Sequence, residues 1–203
     1  MPDQLRFLNQ DLVLRVSANV DPARFDANLY ESFVDALCGT REYQKEAIRT
    51  VLRYFLGGRY SNLRQLAEEN FHSNDALRER YGTFHEMERH LQFPDQLSCS
   101  VDLATATGKS YVMYGIARIM LAQGAVDRVL VLCPSRTIEK GLMGKFRRLS
   151  GDAGLKALLP EDSRVRKTCS EPRKLDRVWP TLTVKPGRSG PGCGSIAPRT
   201  RPV

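Results

Sequence analysis

The chain has 203 residues, 41% of them hydrophobic, which is enough for one packed domain with appendages. No run approaches the roughly 18 apolar residues of a membrane span, and the opening Met-Pro-Asp-Gln-Leu-Arg lacks the apolar core of a secretory signal. The net charge of +8 sits wholly in the tail: residues 1–162 carry 21 basic and 21 acidic side chains, residues 163–203 carry 10 and 2, so the overall charge does not mark the folded part as a polyanion binder.

In chain order, residues 1–39 read as packing support for the rest of the chain. Apolar and polar residues alternate over Asp11 to Val16, predicting a strand that Pro22 ends. Apolar residues at 25, 29, 33, 34 and 37 then predict a helix over Phe25 to Leu37, closed by Gly39. A second helix is expected over 40–56, with Thr40 as half a capping box and an apolar stripe of Tyr43, Ala47, Ile48, Val51, Leu52 and Phe55. Gln44 falls on its more polar side and, taken alone, reads as a solvated surface residue. Residues 59–93 read as short polar helices over Ser61 to Asn70, Asn74 to Tyr81 and Thr83 to Leu91, an insertion between core elements. Their three histidines, His72, His85 and His90, lack the i, i+4 spacing of a metal pair.

A strand-like run, Leu97 to Leu103, leads into Ala104-Thr105-Ala106-Thr107-Gly108-Lys109-Ser110, and a helix is expected from Tyr111 to Gln123, stopped by Gly124. A loop ending in Gly-Lys-Ser between a strand and a helix is a recipe for holding phosphates. Backbone N–H groups converge on a concave turn, and the unpaired N–H groups of the first helical turn add positive charge. Lys109 would reach the β- and γ-phosphates, and the Ser110 hydroxyl would ligate Mg²⁺. The stretch fits A-x-x-G-x-G-K-[ST] with Ala106 in place of the middle glycine, a substitution that suits only a backbone avoiding positive φ.

Val126 to Pro134 is apolar and rich in β-branched residues, and predicts a strand buried on both faces of a parallel sheet. Strand, phosphate loop, helix and strand make a βαβ unit, so the fold class expected is α/β. Pro134, Ser135, Arg136 and Thr137 then lead into a helix over Ile138 to Leu149, and such a loop is where open α/β sheets bind ligands. The five cysteines (38, 99, 133, 169 and 193) form no C-x-x-C pair, which argues against a disulfide framework or a zinc site and for a reducing cytoplasm. Residues 163–203 hold six of the eleven prolines and no helical period, as a disordered basic tail would, or a GC-rich gene read out of frame.

The order R-E-Y-Q-K-E-A-I, A-T-A-T-G-K-S, V-L-V-L-C-P-S-R-T resembles the first motor domain of superfamily 2 DEAD/DEAH-box helicases, nearest the group of the type III restriction enzyme motor subunit. The resemblance spans roughly residues 40–160. It implies a partial RecA-like P-loop domain over 40–162 that binds ATP and Mg²⁺ at residues 104–110, with Gln44 reading the adenine. It also implies that Pro134, Ser135, Arg136 and Thr137 touch the backbone of a nucleic acid, DNA before RNA, and that a modification or nuclease subunit is a partner. The family's D-E-x-H, S-A-T and Q-x-x-G-R-x-x-R motifs have no match in the sequence. The expectation is therefore an ATP-binding N-terminal fragment of an ATP-dependent DNA translocase, with no catalytic carboxylate of its own. The alternatives are a stand-alone nucleotide- or DNA-binding module and a P-loop enzyme of another class, such as a small-molecule kinase.

Overall fold

In the computed structural model, residues 12–160 are described, and they belong to one compact unit. The proposed tail, 163–203, lies outside the described residues. Among the described residues eight helices run in order: α1 (Asn28–Cys38), α2 (Glu42–Leu56), α3 (Leu63–Ser73), α4 (Asp75–Tyr81), α5 (Phe84–Glu88), α6 (Lys109–Ala122), α7 (Arg136–Gly151) and α8 (Ala153–Ala157).

No strand occurs among the described residues, which overturns the α/β fold with a parallel sheet. The runs 97–103 and 126–134 are irregular, and Leu130 and Leu132 are 76% and 82% exposed rather than buried on two faces. The physical reason is that β-branched composition only biases the backbone. A strand forms when a neighbouring segment takes up its N–H and C=O groups in a ladder, and no described segment does so for either run. The alternating stretch near the N-terminus is likewise not a strand over residues 12–16. Its partner is one buried side chain: Arg15 N–H donates to Asn70 Oδ1 (2.7 Å), and Asn70 Nδ2 donates back to the Arg15 carbonyl (2.9 Å). The amide of Asn70 thus replaces the two-way exchange that a paired strand residue would make.

The helices follow their local signals closely. Side chains of Asn62, Asn74, Thr83, Ser135 and Asp152 accept from first-turn N–H groups of α3, α4, α5, α7 and α8, satisfying donors that have no partner within the helix. Thr40 does not cap α2, whose N-cap is Arg41 with no side-chain bond. The main core gathers Phe33, Val34 and Leu37 of α1, Ile48 and Leu52 of α2, Val112 and Ile119 of α6, and Leu149 and Leu155 from the last two helices. A smaller cluster of Ala67, Phe71, Leu77 and Met87 holds α3, α4 and α5 together.

Gly115 lets α6 approach α1 and α2 closely: a Cβ there would stand 2.8 Å from Ile48 Cδ1 and 3.0 Å from Leu37 Cδ2. Two cross-helix clamps fix α2 on α1. Arg49 meets Glu31 through both ends of its fork (Nη2–Oε2 2.7 Å, Nε–Oε1 3.0 Å), and hydrogen bonding to Glu31 raises the guanidinium's pKa further. Lys45 reaches Asp35 at 2.7 Å and Glu42 at 3.0 Å. The hydrogen bonds from Lys45 hold both carboxyls below their ordinary range and raise the Lys45 ammonium in turn.

Candidate functional site

Residues 104–110 form a tight loop running into α6. Thr107 N–H donates to the Ala104 carbonyl (3.4 Å) and Thr107 Oγ1 donates to the same oxygen (2.6 Å), closing a turn. Its third residue, Ala106, has φ +66°, so the glycine-like position is held by a residue with a Cβ in the left-handed region. That departs from the expectation that an alanine there would avoid positive φ. Gly108 follows at φ +81° and is the N-cap of α6.

α2 supplies the brace for this loop. Tyr43 Oη donates to the Thr107 carbonyl at 3.0 Å, and Gln44 Nε2 donates to the same carbonyl at 2.5 Å. The structure therefore brings Gln44 against the loop, and it rotates the start of α2 relative to the expected stripe. Gln44 is 1% exposed, whereas Tyr43 is 46% exposed. A Cβ on residue 108 would lie 2.5 Å from Gln44 Nε2, so a larger residue would have to push that amide aside, at a positive φ that itself favours glycine. Gln44 Oε1 is buried and has no hydrogen-bond partner among the described residues. An acceptor left bare in a protein interior is costly unless something completes it.

The loop's positive end is open. Gly108 offers no side chain to cap α6 and no acidic residue occupies its first turn; Tyr111 N–H donates to the Gly108 carbonyl (2.9 Å), while among the described residues no side chain accepts from the N–H groups of Lys109 and Ser110 at the positive end of the helix dipole. Lys109 is exposed and makes no hydrogen bond or ion pair among the described residues. Ser110 Oγ instead accepts from Lys145 Nζ of α7 at 3.0 Å, and the same ammonium stands 5.1 Å from the centre of the Tyr111 ring. Lys145 has no carboxylate partner among the described residues. Nothing local in the sequence singles it out, because 35 residues separate it from Ser110.

Pro134, Ser135, Arg136 and Thr137 are all exposed. Ser135 Oγ accepts from Ile138 N–H (3.4 Å) and so starts α7. α7 holds five basic side chains (Arg136, Lys140, Lys145, Arg147, Arg148) against one acidic, Glu139. The 3.6-residue period puts Arg136, Lys140 and Arg147 within about 40° of one another, and all three are exposed. This concentration of charge is hidden by the neutral total of residues 1–162, although the i, i+4, i+11 spacing is readable. An open cleft of about 670 Å³ lies between α1, α6 and the last two helices, lined by Leu37, Gly39, Arg41, Tyr111, Asp152 and Leu158 among others. None of residues 104–110 lines it.

No helix among the described residues is long and apolar enough to cross a membrane. No curated protein and no solved structure matches the chain. Residues 37–174, more than half of the sequence, match the family model described as type III restriction enzyme, res subunit. The match starts at the end of α1, takes in α2, the loop, α6 and α7, and continues past residue 162 into the basic segment. On that match the chain belongs to the type III restriction enzyme res subunit family, a family of helicase-like motor domains.

Proposed function

We propose that this chain binds ATP with Mg²⁺ at residues 104–110 and the sugar-phosphate backbone of DNA along the exposed face of α7, as the nucleotide-binding part of an ATP-dependent DNA motor. The observation that carries the reading is the brace from α2. Gln44, a residue the family resemblance assigns to adenine, is buried against the loop, and among the described residues its Oε1 has no partner and Lys109 has no counter-ion. A buried bare acceptor next to an uncapped helix N-terminus fits a ligand carrying both N–H donors and phosphate oxygens.

In this reading Lys109 and the first-turn N–H groups of α6 hold phosphate oxygens, Gln44 orients the base, and the Ser110 hydroxyl is a ligand for Mg²⁺. Mg²⁺ held there would supply positive charge that offsets that of the phosphates. Arg136 and Lys140 hold DNA phosphates, contacts that fix position without reading sequence. A modification or nuclease subunit is the proposed protein partner. Hydrolysis is no part of the proposal for these 203 residues, because it needs a carboxylate to hold the metal and orient the water, and the sequence has no D-E-x-H run.

Fluorescent ATP titration and DNA binding over a salt series test both halves. Lys109→Ala should abolish measurable nucleotide binding and leave the DNA affinity intact. The double change Arg136→Ala with Lys140→Ala should lower the slope of log K against log salt by about 2, near 0.9 per duplex phosphate contact. Nucleotide binding that survives Lys109→Ala, or an unchanged salt slope, would refute the corresponding half.

A further inference from the structure

The contact between Lys145 and Ser110 conflicts with a simple metal site. Ser110 is the residue whose hydroxyl the motif assigns to Mg²⁺, yet its Oγ already accepts from the Lys145 ammonium at 3.0 Å. Two cations on one hydroxyl oxygen repel each other strongly, so the ammonium must leave Oγ whenever a divalent ion takes it. α7 holds the lysine in place. Phe146 packs edge-on against Tyr114 of α6 (ring centres 5.4 Å apart), Ser150 Oγ donates to Tyr114 Oη (3.4 Å), and the ammonium lies over the Tyr111 ring. With no carboxylate partner among the described residues, its charge is met only by a hydroxyl and a ring face.

We propose that Lys145 is a second phosphate-binding lysine, supplied by α7, that stands in the place of the metal and lets the site hold a nucleotide triphosphate without Mg²⁺. This rests on the nucleotide reading of residues 104–110. Lys109 reaches the phosphates from the loop and Lys145 from the neighbouring helix, with Ser110 between them. Ser110 Oγ would be the ligand for Mg²⁺ bound with the nucleotide, and the Lys145 ammonium would then leave that oxygen. The release loosens α7 from the start of α6, and α7 is the helix that bears Arg136 and Lys140.

The test compares ATP affinity in excess EDTA with ATP affinity in excess Mg²⁺, by calorimetry on the full chain, for the native protein, Lys145→Gln and Lys145→Arg. Losing one charge-assisted hydrogen bond to phosphate costs about tenfold in affinity. Lys145→Gln should therefore weaken metal-free ATP about tenfold and Mg²⁺-ATP much less, raising the ratio of the two affinities at least about fivefold. Lys145→Arg should bring that ratio back towards the native value. Equal weakening of both forms, or no change in the ratio, overturns the stand-in role while leaving the nucleotide reading intact. If the native chain binds neither form, the nucleotide reading falls and this inference falls with it. If Lys145→Gln does not fold, acetylation footprinting on the native chain decides. Metal-free ATP should protect Lys145 more than Mg²⁺-ATP does, and the reverse order refutes the proposal.

Discussion

Ala106→Gly is the sharpest test of the loop. Ala106 sits at φ +66° in the third position of a turn closed from Thr107 to Ala104, a position where a Cβ crowds the backbone. The left-handed region costs an L-residue about 1–2 kcal/mol, and glycine removes that cost. Glycine also gives the unfolded chain more freedom, which offsets about 0.4–1 kcal/mol of the gain. The net expectation is a more stable protein by about 0.5–1 kcal/mol, or roughly 1–4 °C in melting temperature for a domain of this size. Ala104→Gly is the control. Ala104 lies in the same loop and is exposed, but its φ is not positive, so only the entropic term acts and the protein should lose about 0.4–1 kcal/mol. Urea denaturation followed by circular dichroism at 222 nm measures both. Opposite signs for the two glycines support the turn described here. If Ala106→Gly destabilises the protein as Ala104→Gly does, residue 106 is not in the left-handed region, and the turn closed by Thr107 is not the one the loop adopts.

Three further outcomes rest on particular contacts. Gly108→Ala forces a Cβ to within 2.5 Å of Gln44 Nε2 at a positive φ, so it should cost about 2 kcal/mol or more. Part of that loss should be recovered when Gln44→Ala is combined with it, and strict additivity in the double-mutant cycle would count against the brace. Lys45→Met should flatten the acid limb of stability. Because Lys45 holds the Asp35 and Glu42 carboxyls below their ordinary values, their contribution is complete above those values, 3.8 and 4.5, and is lost as pH falls through the lower folded-state ones. Urea midpoints that fall in parallel for both proteins between pH 6 and pH 3 would show the clamp to be energetically silent. The Cys38 thiol is fully buried and pushed up to about 11 by that burial, so it should resist alkylation at pH 8 until the chain is unfolded. Rapid labelling of Cys38 in the native protein, located by peptide mass spectrometry, would contradict the packing of α1.

The amino-acid sequence by itself determined the features that depend on neighbours in the chain. Helix positions were legible, because caps such as Asn62, Asn74 and Ser135 act within one turn and apolar spacing reports one face. The Gly108-Lys109-Ser110 run at the start of α6 was legible for the same reason, as was the family to which the chain belongs. Tertiary structure decided the rest. Whether the apolar runs 97–103 and 126–134 become strands depends on partner backbone that composition does not encode, and here both are irregular. The stripe of Ile48, Val51 and Leu52 faces inward as its spacing predicts, but at the first turn of α2 the Thr107 carbonyl, 63 residues away, meets a buried Gln44 while Tyr43 stays half outside. Lys145 reaches Ser110 only because α7 packs on α6. Local sequence sets where a helix begins and ends, but which of its side chains meet a distant group is fixed by how the helices pack.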